Sequence, residues 1–203
     1  MRERMHDMSV KDKNNTADAK PADLLTKLAA DLFDILELFA ICASVILLVF
    51  AFIIRPTVVE GASMEDTLLG GDYLLVTNVG YEPTPGDIVV AHNVGLPYYS
   101  DPIVKRVIAT AGQTVDIDFD TWTLTVDGIV VEEPYRKLTA DDFRTSDWLY
   151  PITIPEGYVF VMGDNRNHSA DSRSKDIGMM DERCIIGKAV LRVFPFDRIT
   201  AFD

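Results

Sequence analysis

Cysteine is scarce in this chain: Cys42 and Cys184 are the only two in 203 residues. Cys42 lies inside an apolar run and Cys184 lies near the C-terminus. No disulfide framework therefore stands behind the fold, and each thiol reads as a small hydrophobe. The three histidines, His6, His92 and His168, are scattered without an H-x-x-x-H pair, and neither cysteine has metal-ligand spacing. That excludes the usual zinc patterns, and no metal and no cofactor is expected. Basic charge is also short, with 19 Lys and Arg against 32 Asp and Glu, a net charge of −13. Phosphate binding needs a basic footprint, so nucleic acid is excluded as the main partner. A G-x-S-x-G elbow is missing, as are internal repeats and low-complexity segments.

What is present begins with an uneven division of charge. Residues 1–55 carry a net −1 and residues 56–203 a net −12. The acidity thus belongs to the C-terminal part, as a solvating surface that attracts cationic peptide segments. Residues 38–54, LFAICASVILLVFAFII, form a run without a charge. With residues 36 and 37 the run spans about 28 Å as a helix, close to the ~30 Å of a bilayer's hydrocarbon core. Arg55 can snorkel at the interface, and Pro56 stops the helix. The run exceeds a signal-peptide core, its N-terminal flank is acidic, and no small-x-small site follows closely, so a retained anchor is favoured over a cleaved leader. Most Lys and Arg of residues 1–55 precede the run, which favours a cytoplasmic N-terminus. The expected organisation is a cytoplasmic, partly disordered segment 1–35, a transmembrane helix 36–55 and an extracytoplasmic domain 56–203. Residues 1–21 read as disordered and residues 22–37 as the start of a helix.

From Thr57 the pattern changes to short strands punctuated by Gly and Pro. Strands are expected at 57–60, 73–76, 87–91, 102–109, 158–162 and 187–194. A hairpin is expected over 123–131, turning at Asp127-Gly128, and a polar loop over 134–152. The fold class is mainly β: a β-rich, barrel-like domain preceded by one transmembrane helix.

Chemistry gathers in three places. Residues 163–173, GDNRNHSADSR, pack four ionised side chains, two hydroxyls, two Asn amides and one imidazole into a turn directly after an apolar strand. Burying such groups unpaired costs about 1–3 kcal/mol each, so they either satisfy one another or hold something in place. A solvated surface turn is the plain alternative. Ser63, in Gly61-Ala62-Ser63-Met64, follows a short extended run, where a hydroxyl can be presented beside backbone N–H groups. Taken alone it is an ordinary serine. Lys105 shares a strand face with Ile103 and Val107, and Arg106 shares the other with Val104 and Ile108. Whichever face is buried, one cation sits among branched aliphatics. A desolvated lysine loses its proton more easily and becomes a competent base near neutral pH. The alternative is an edge strand with both cations in water. In the polar turn, Ser169 is suited to aim a neutral lysine, and Asp171 can pair with Arg173.

With these residues the chain resembles the bacterial type I signal peptidases, membrane serine proteases that use a Ser–Lys dyad. The resemblance covers residues 36–203. It rests on G-A-S-M at 61–64, T-L-L-G-G-D-Y at 67–73, P-G-D-I-V-V at 85–90, K-R-V-I-A-T-A-G-Q-T-V at 105–115, V-D-G-I-V-V-E-E-P-Y at 126–135 and G-D-N-R-N-H-S-A-D-S-R at 163–173. The short stretch between the Lys105 strand and the polar turn is similar to the small, single-anchor form of Gram-positive bacteria. The resemblance implies an extracytoplasmic endopeptidase at the cell membrane. Its partners would be the bilayer and the signal peptides of exported preproteins; nothing calls for an obligate protein partner. It implies Ser63 as nucleophile, Lys105 as general base, Ser169 as the lysine-orienting residue and Asp171 with Arg173 as a supporting ion pair. Gly163 and Asp164 would support the site, and Met64 would line the substrate pocket. Two departures stand out. Asp66 occupies a position where the family usually has Pro, which bears on the rigidity of the turn after Ser63. Gly61 stands where some relatives carry a serine that donates to the oxyanion, leaving that task to backbone N–H groups and water. A Ser-His-Asp arrangement using His168 or His92, a soluble Ser–Lys self-cleaving protease and an inactive peptide-binding homologue are the rival readings.

Overall fold

The computed structural model describes residues 21–92, 101–139 and 146–202. Residues 1–20, expected to be disordered, lie outside the described residues, as does part of the 134–152 loop. The chain divides into two compact units at Ile46/Leu47. Helix α1 runs Pro21–Phe52. Its first residue is a proline, whose fixed φ suits the opening turn, and residues 22–37 and the apolar run as far as Phe52 form one continuous helix. Its segment Leu25–Phe52 is long and apolar enough to cross a membrane, and its leucines and phenylalanines are exposed, as lipid-facing side chains must be. The helix ends three residues before Arg55. Pro56 disfavours helical backbone in the residue before it, and the chain is already extended at Ile54.

Among the described residues the second unit holds twelve strands. They are β1 (Ile54–Val58), β2 (Tyr73–Thr77), β3 (Ile88–Ala91), β4 (Ile103–Ala109), β5 (Thr114–Asp118), β6 (Thr123–Val126), β7 (Ile129–Val130), β8 (Ile152–Thr153), β9 (Tyr158–Met162), β10 (Met180–Asp181), β11 (Ile185–Phe194) and β12 (Thr200–Ala201). Eight form one open antiparallel sheet in the order β1-β2-β11-β3-β4-β9-β10, with β12 beside β11. Register shifts in β11 and between β4 and β9 mark irregular points that curl it. The other four form a sheet in the order β7-β6-β5-β8. The domain is mainly β, as expected.

β3, β4 and β9 are buried on both faces, which is why they read as nearly unbroken apolar runs. Val104, Ile88 and Val90 join Met64, Leu68 and Leu74 in one core cluster. Val89, Val107 and Val161 form a second on the opposite face. Ile108, Phe160 and Met162 meet Val115, Ile117 and Leu124 of the smaller sheet in a third. The 123–131 hairpin turns at Asp127 and Gly128, both with positive φ, 52° and 78°, as a two-residue primed turn requires. Strand β5 had no counterpart among the expected elements. Its sequence alternates, with Val115 and Ile117 inward, but its two aspartates are poor strand formers.

Candidate active site

The turn after β1 is anchored from within. Met64 and Leu68 are both buried in the core, 1% and 0% exposed, and Leu68 N–H donates to the Met64 carbonyl at 2.8 Å. Ser63 is held just above these anchors, half-buried. Met64, expected to line a substrate pocket, has its side chain in the core cluster.

Lys105 reaches the same turn from β4. Its Nζ lies 2.8 Å from Ser63 Oγ and donates to its neighbour's carbonyl, Val104 O, at 3.0 Å. Only 4% of Lys105 is exposed. Burial brings its pKa down to about 8, opposed by the carboxylates of Asp171 and Asp164 and assisted by the Arg173 charge. The amine thus loses its proton more readily than an ordinary lysine. Lys105 and Arg106 are both buried, because both faces of β4 are covered; neither snorkels to water.

The polar turn is not a surface turn. Asp164, Asn165, Arg166, Asn167, Asp171 and Ser172 are each at most 2% exposed. Extending the β4–β9 register one residue beyond Arg106↔Met162 sets Gly163 opposite Lys105. A Cβ at Gly163 would overlap the Ser63 carbonyl oxygen and the Ser169 side chain, so only glycine lets the three segments meet here. Gly163 N–H donates to Asp171 Oδ2 at 3.0 Å. Asp171 takes a bidentate pair from Arg173, Nε to Oδ1 at 2.8 Å and Nη2 to Oδ2 at 2.9 Å. Burial alone would raise the Asp171 carboxyl; hydrogen bonds and charge from Arg173 hold it below the usual carboxylate range. Asp164 takes a second bidentate pair, from Arg106 at 2.9 and 2.7 Å, and a hydroxyl from Thr67 at 2.6 Å.

Ser169 is 5% exposed, and its Oγ has no hydrogen-bond partner, although it leans close enough to Asp171 to favour that carboxylate's charged form. Lys105 Nζ is committed to Ser63 and Val104, so the structure brings Ser63, Lys105 and Gly163 into contact and leaves Ser169 buried nearby with unused bonding capacity. Asp171, Arg173 and Asp164 line the far side. His168 is exposed and takes no part.

Several contributors had no role assigned from the sequence. Asn165 donates its N–H to the Ser63 carbonyl and its Nδ2 to the Ala62 carbonyl, both at 3.0 Å, so it pins the serine's own backbone. Arg166 pairs with both oxygens of Glu133 and donates Nε to the Gly163 carbonyl at 3.0 Å. Arg106 also donates to the Gly86 carbonyl at 2.7 Å and stacks on Tyr135, 3.9 Å from the ring centroid. The signal for Asn165 and Arg166 was their place in the polar turn. Nothing in the local sequence signals Glu133 or Tyr135.

A nucleophile-type serine bonded to a desolvated lysine, on a backbone fixed at both carbonyls, is equipped for acyl transfer. A family model described as signal peptidase, peptidase S26, matches residues 32–194. Signal peptidase I of Bacillus licheniformis is 36% identical over 180 residues, covering 85% of this chain and 94% of that one. Signal peptidase I T of Bacillus subtilis (strain 168) is 38% identical over 162 residues, 75% of this chain and 80% of that one. Signal peptidase IB of Staphylococcus aureus (strain COL) is 34% identical over 173 residues, 77% of this chain and 86% of that one. A crystal structure of a signal peptidase I from Enterococcus faecalis V583 covers 53% of this chain and 97% of its own, at 28% identity and a TM-score of 0.43.

Proposed function

The chain belongs to the peptidase S26 family of signal peptidases, and from that premise we propose that it removes signal peptides from exported preproteins as a membrane-anchored Ser–Lys endopeptidase. Ser63 is the nucleophile and Lys105 the general base. The observation that carries this reading is the 2.8 Å bond between Lys105 Nζ and Ser63 Oγ, made by an amine whose burial brings its pKa to about 8.

The neutral amine takes the Ser63 hydroxyl proton as Oγ attacks the scissile carbonyl carbon. Negative charge then develops on the carbonyl oxygen and is held by backbone N–H groups of the turn, Gly61 having no side chain to help. The Lys105 ammonium gives its proton to the leaving amine, the peptide C–N bond breaks, and the signal peptide remains as an ester on Oγ. Lys105 next takes a proton from water, whose oxygen attacks the ester carbon; the C–Oγ bond then breaks, the ammonium returns the proton to Ser63 Oγ, and serine and neutral amine are restored. While Ser63 is esterified it cannot donate a hydrogen to the lysine. The buried, unused Ser169 hydroxyl supports its role as the group that then holds the amine in line. Asp171, braced by Arg173, and Asp164, braced by Arg106, supply fixed negative charge toward the ammonium. Gly163 keeps the space open, and Met64 forms the floor beneath the substrate's small side chain.

The anchor tethers this chemistry to the membrane and raises the effective concentration of membrane-bound substrate. In this reading residues 1–35 are cytoplasmic, 36–55 carry the membrane span and 56–203 lie outside the cell membrane. The test is cleavage of a fluorogenic A-x-A peptide and a model preprotein in detergent. Ser63→Ala and Lys105→Ala should each abolish turnover without unfolding the protein; full activity in either variant removes the assignment.

A further inference from the structure

Between Tyr135 and Thr139 the chain passes along the outside of the polar turn, where Lys137 is fixed by its backbone. Lys137 N–H donates to the Asp164 carbonyl at 2.8 Å, and its carbonyl accepts from Arg166 N–H at 2.9 Å. These bonds straddle Asn165, the residue that holds the Ser63 and Ala62 carbonyls. The side chain runs on to the other catalytic segment. Nζ lies 2.9 Å from Asp66 Oδ1 and 3.4 Å from Glu65 Oε2. One residue therefore joins the polar turn to the two residues that follow Ser63-Met64.

The need for such a tie is written into the turn. Asn165 holds it at Ala62 and Ser63, and Asp164 holds it at Thr67. Between them stand Glu65 and Asp66, adjacent carboxylates that repel one another and, by themselves, push the strap outward. A single ammonium shared between the two carboxylates offsets the repulsion, and it is carried by a backbone that cannot retreat.

We propose that Lys137 is a positioning residue for the nucleophile turn: its ion pairs with Asp66 and Glu65 tie that turn to the polar turn and keep Ser63 aligned on Lys105. This rests on the reading of Ser63 as the nucleophile. The pairs are partly open to solvent, Lys137 33% and Asp66 80% exposed at the side chain. Exposed pairs are individually weak and salt-sensitive, so the expected effect is moderate and falls on alignment rather than on substrate binding.

The experiment uses the full chain in detergent with a fluorogenic A-x-A peptide. Lys137→Met should lower kcat about fivefold with KM nearly unchanged, and Lys137→Arg should retain most of the rate. Raising salt to about 1 M, where the Debye length is about 3 Å, screens the attraction and the carboxylate repulsion alike and should bring the wild-type and Lys137→Met rates together. Neutralising the turn with Glu65→Gln and Asp66→Asn should restore kcat to Lys137→Met. If Lys137→Met does not fold, the triple neutral variant still decides the matter: it should keep the low-salt kcat of the wild type and show no salt response of its own. Equal kcat and equal salt response in wild type and Lys137→Met overturn the proposal while leaving the dyad intact. A wild type that cleaves no peptide overturns the underlying reading instead.

Discussion

Lys105 and Arg106 are consecutive in β4 and are both buried, yet only Arg106 has a carboxylate partner: a bidentate pair with Asp164. Among the described residues Lys105 makes no ion pair with a carboxylate within 4.0 Å. A buried cation with a bonded partner stays charged; one without it pays the desolvation cost and sheds its proton more readily. The same strand thus carries a carboxylate-paired arginine on one face and a lysine without such a partner on the other. Arg106 fixes Asp164, and with it the end of β9.

The pH dependence follows from the direction of the Lys105 shift. The amine must be neutral to take the serine proton, and its pKa in the free enzyme is about 8. Below that value kcat/KM should fall about tenfold per pH unit, and above it the rate should level off. A peptide-cleavage profile between about pH 5 and 10 checks this. A rate that is flat down to about pH 5 would rule out a lysine base.

The same shift makes a prediction about stability with the opposite economy. Between its folded pKa of about 8 and the ordinary lysine value of 10.5, Lys105 binds more proton when unfolded than when folded. Stability therefore rises with pH across that window, and below about pH 8 the buried ammonium is a net cost. Lys105→Met keeps the apolar stem and removes the charge. It should be inactive yet more stable than wild type by about 2–3 kcal/mol near pH 7, with the difference shrinking as pH approaches 10.5. Thermal unfolding of both proteins at several pH values measures it. A variant less stable than wild type at pH 7 would mean that the amine is not desolvated.

How much of this was legible beforehand divides by range. Strand content, the hairpin at Asp127-Gly128 and the apolar helix rest on local pattern, and local pattern carries them. The start of the first strand did not follow from pattern: Arg55 and Pro56 read as a helix end, but they lie in β1, an edge strand that tolerates proline. The 163–173 turn was conspicuous as a collection of polar groups needing partners. The identities of many partners were not, because Arg106 and Asp164 are 58 positions apart and Asn165 and Ala62 are 103. Such pairs depend on strand order, here β3-β4-β9 from the middle of the chain and β11 from its end, which no local pattern encodes.

Gly163 offers a steric test of the site. A methyl group there would overlap the Ser63 carbonyl oxygen and Ser169 Oγ, and the Ser63 carbonyl is itself tied to Asn165. Gly163→Ala must therefore push the nucleophile turn away from β9. A displacement of about 1 Å costs a reaction of this kind about a hundredfold, whereas overpacking costs about 1–3 kcal/mol of stability. The expected outcome is a folded protein with its melting temperature lowered by several degrees and kcat reduced by about a hundredfold or more. Activity within tenfold of wild type would show that the three segments do not meet as described.

The Arg106–Asp164 pair predicts a coupling that neither residue shows alone. Asp164 is 0% exposed and holds Arg106 and Thr67 together. Asp164→Leu leaves the guanidinium buried with only the Gly86 carbonyl and the Tyr135 ring. Arg106→Met leaves the carboxylate with the Thr67 hydroxyl as its remaining side-chain donor. Breaking a buried pair from either side costs about 3–5 kcal/mol, because the survivor's charge is uncompensated. Removing both charges, as in Arg106→Met with Asp164→Leu, should cost much less than the sum of the singles. For a domain of about 150 residues, 1 kcal/mol is worth about 2–4 °C. Each single variant should therefore melt about 10 °C below wild type and the double variant between the two. A double-mutant cycle by thermal unfolding reads the coupling directly. Additive losses would mean that the two residues are braced independently, and that Asp164 is held at the dyad by Thr67 rather than by the cation beside Lys105.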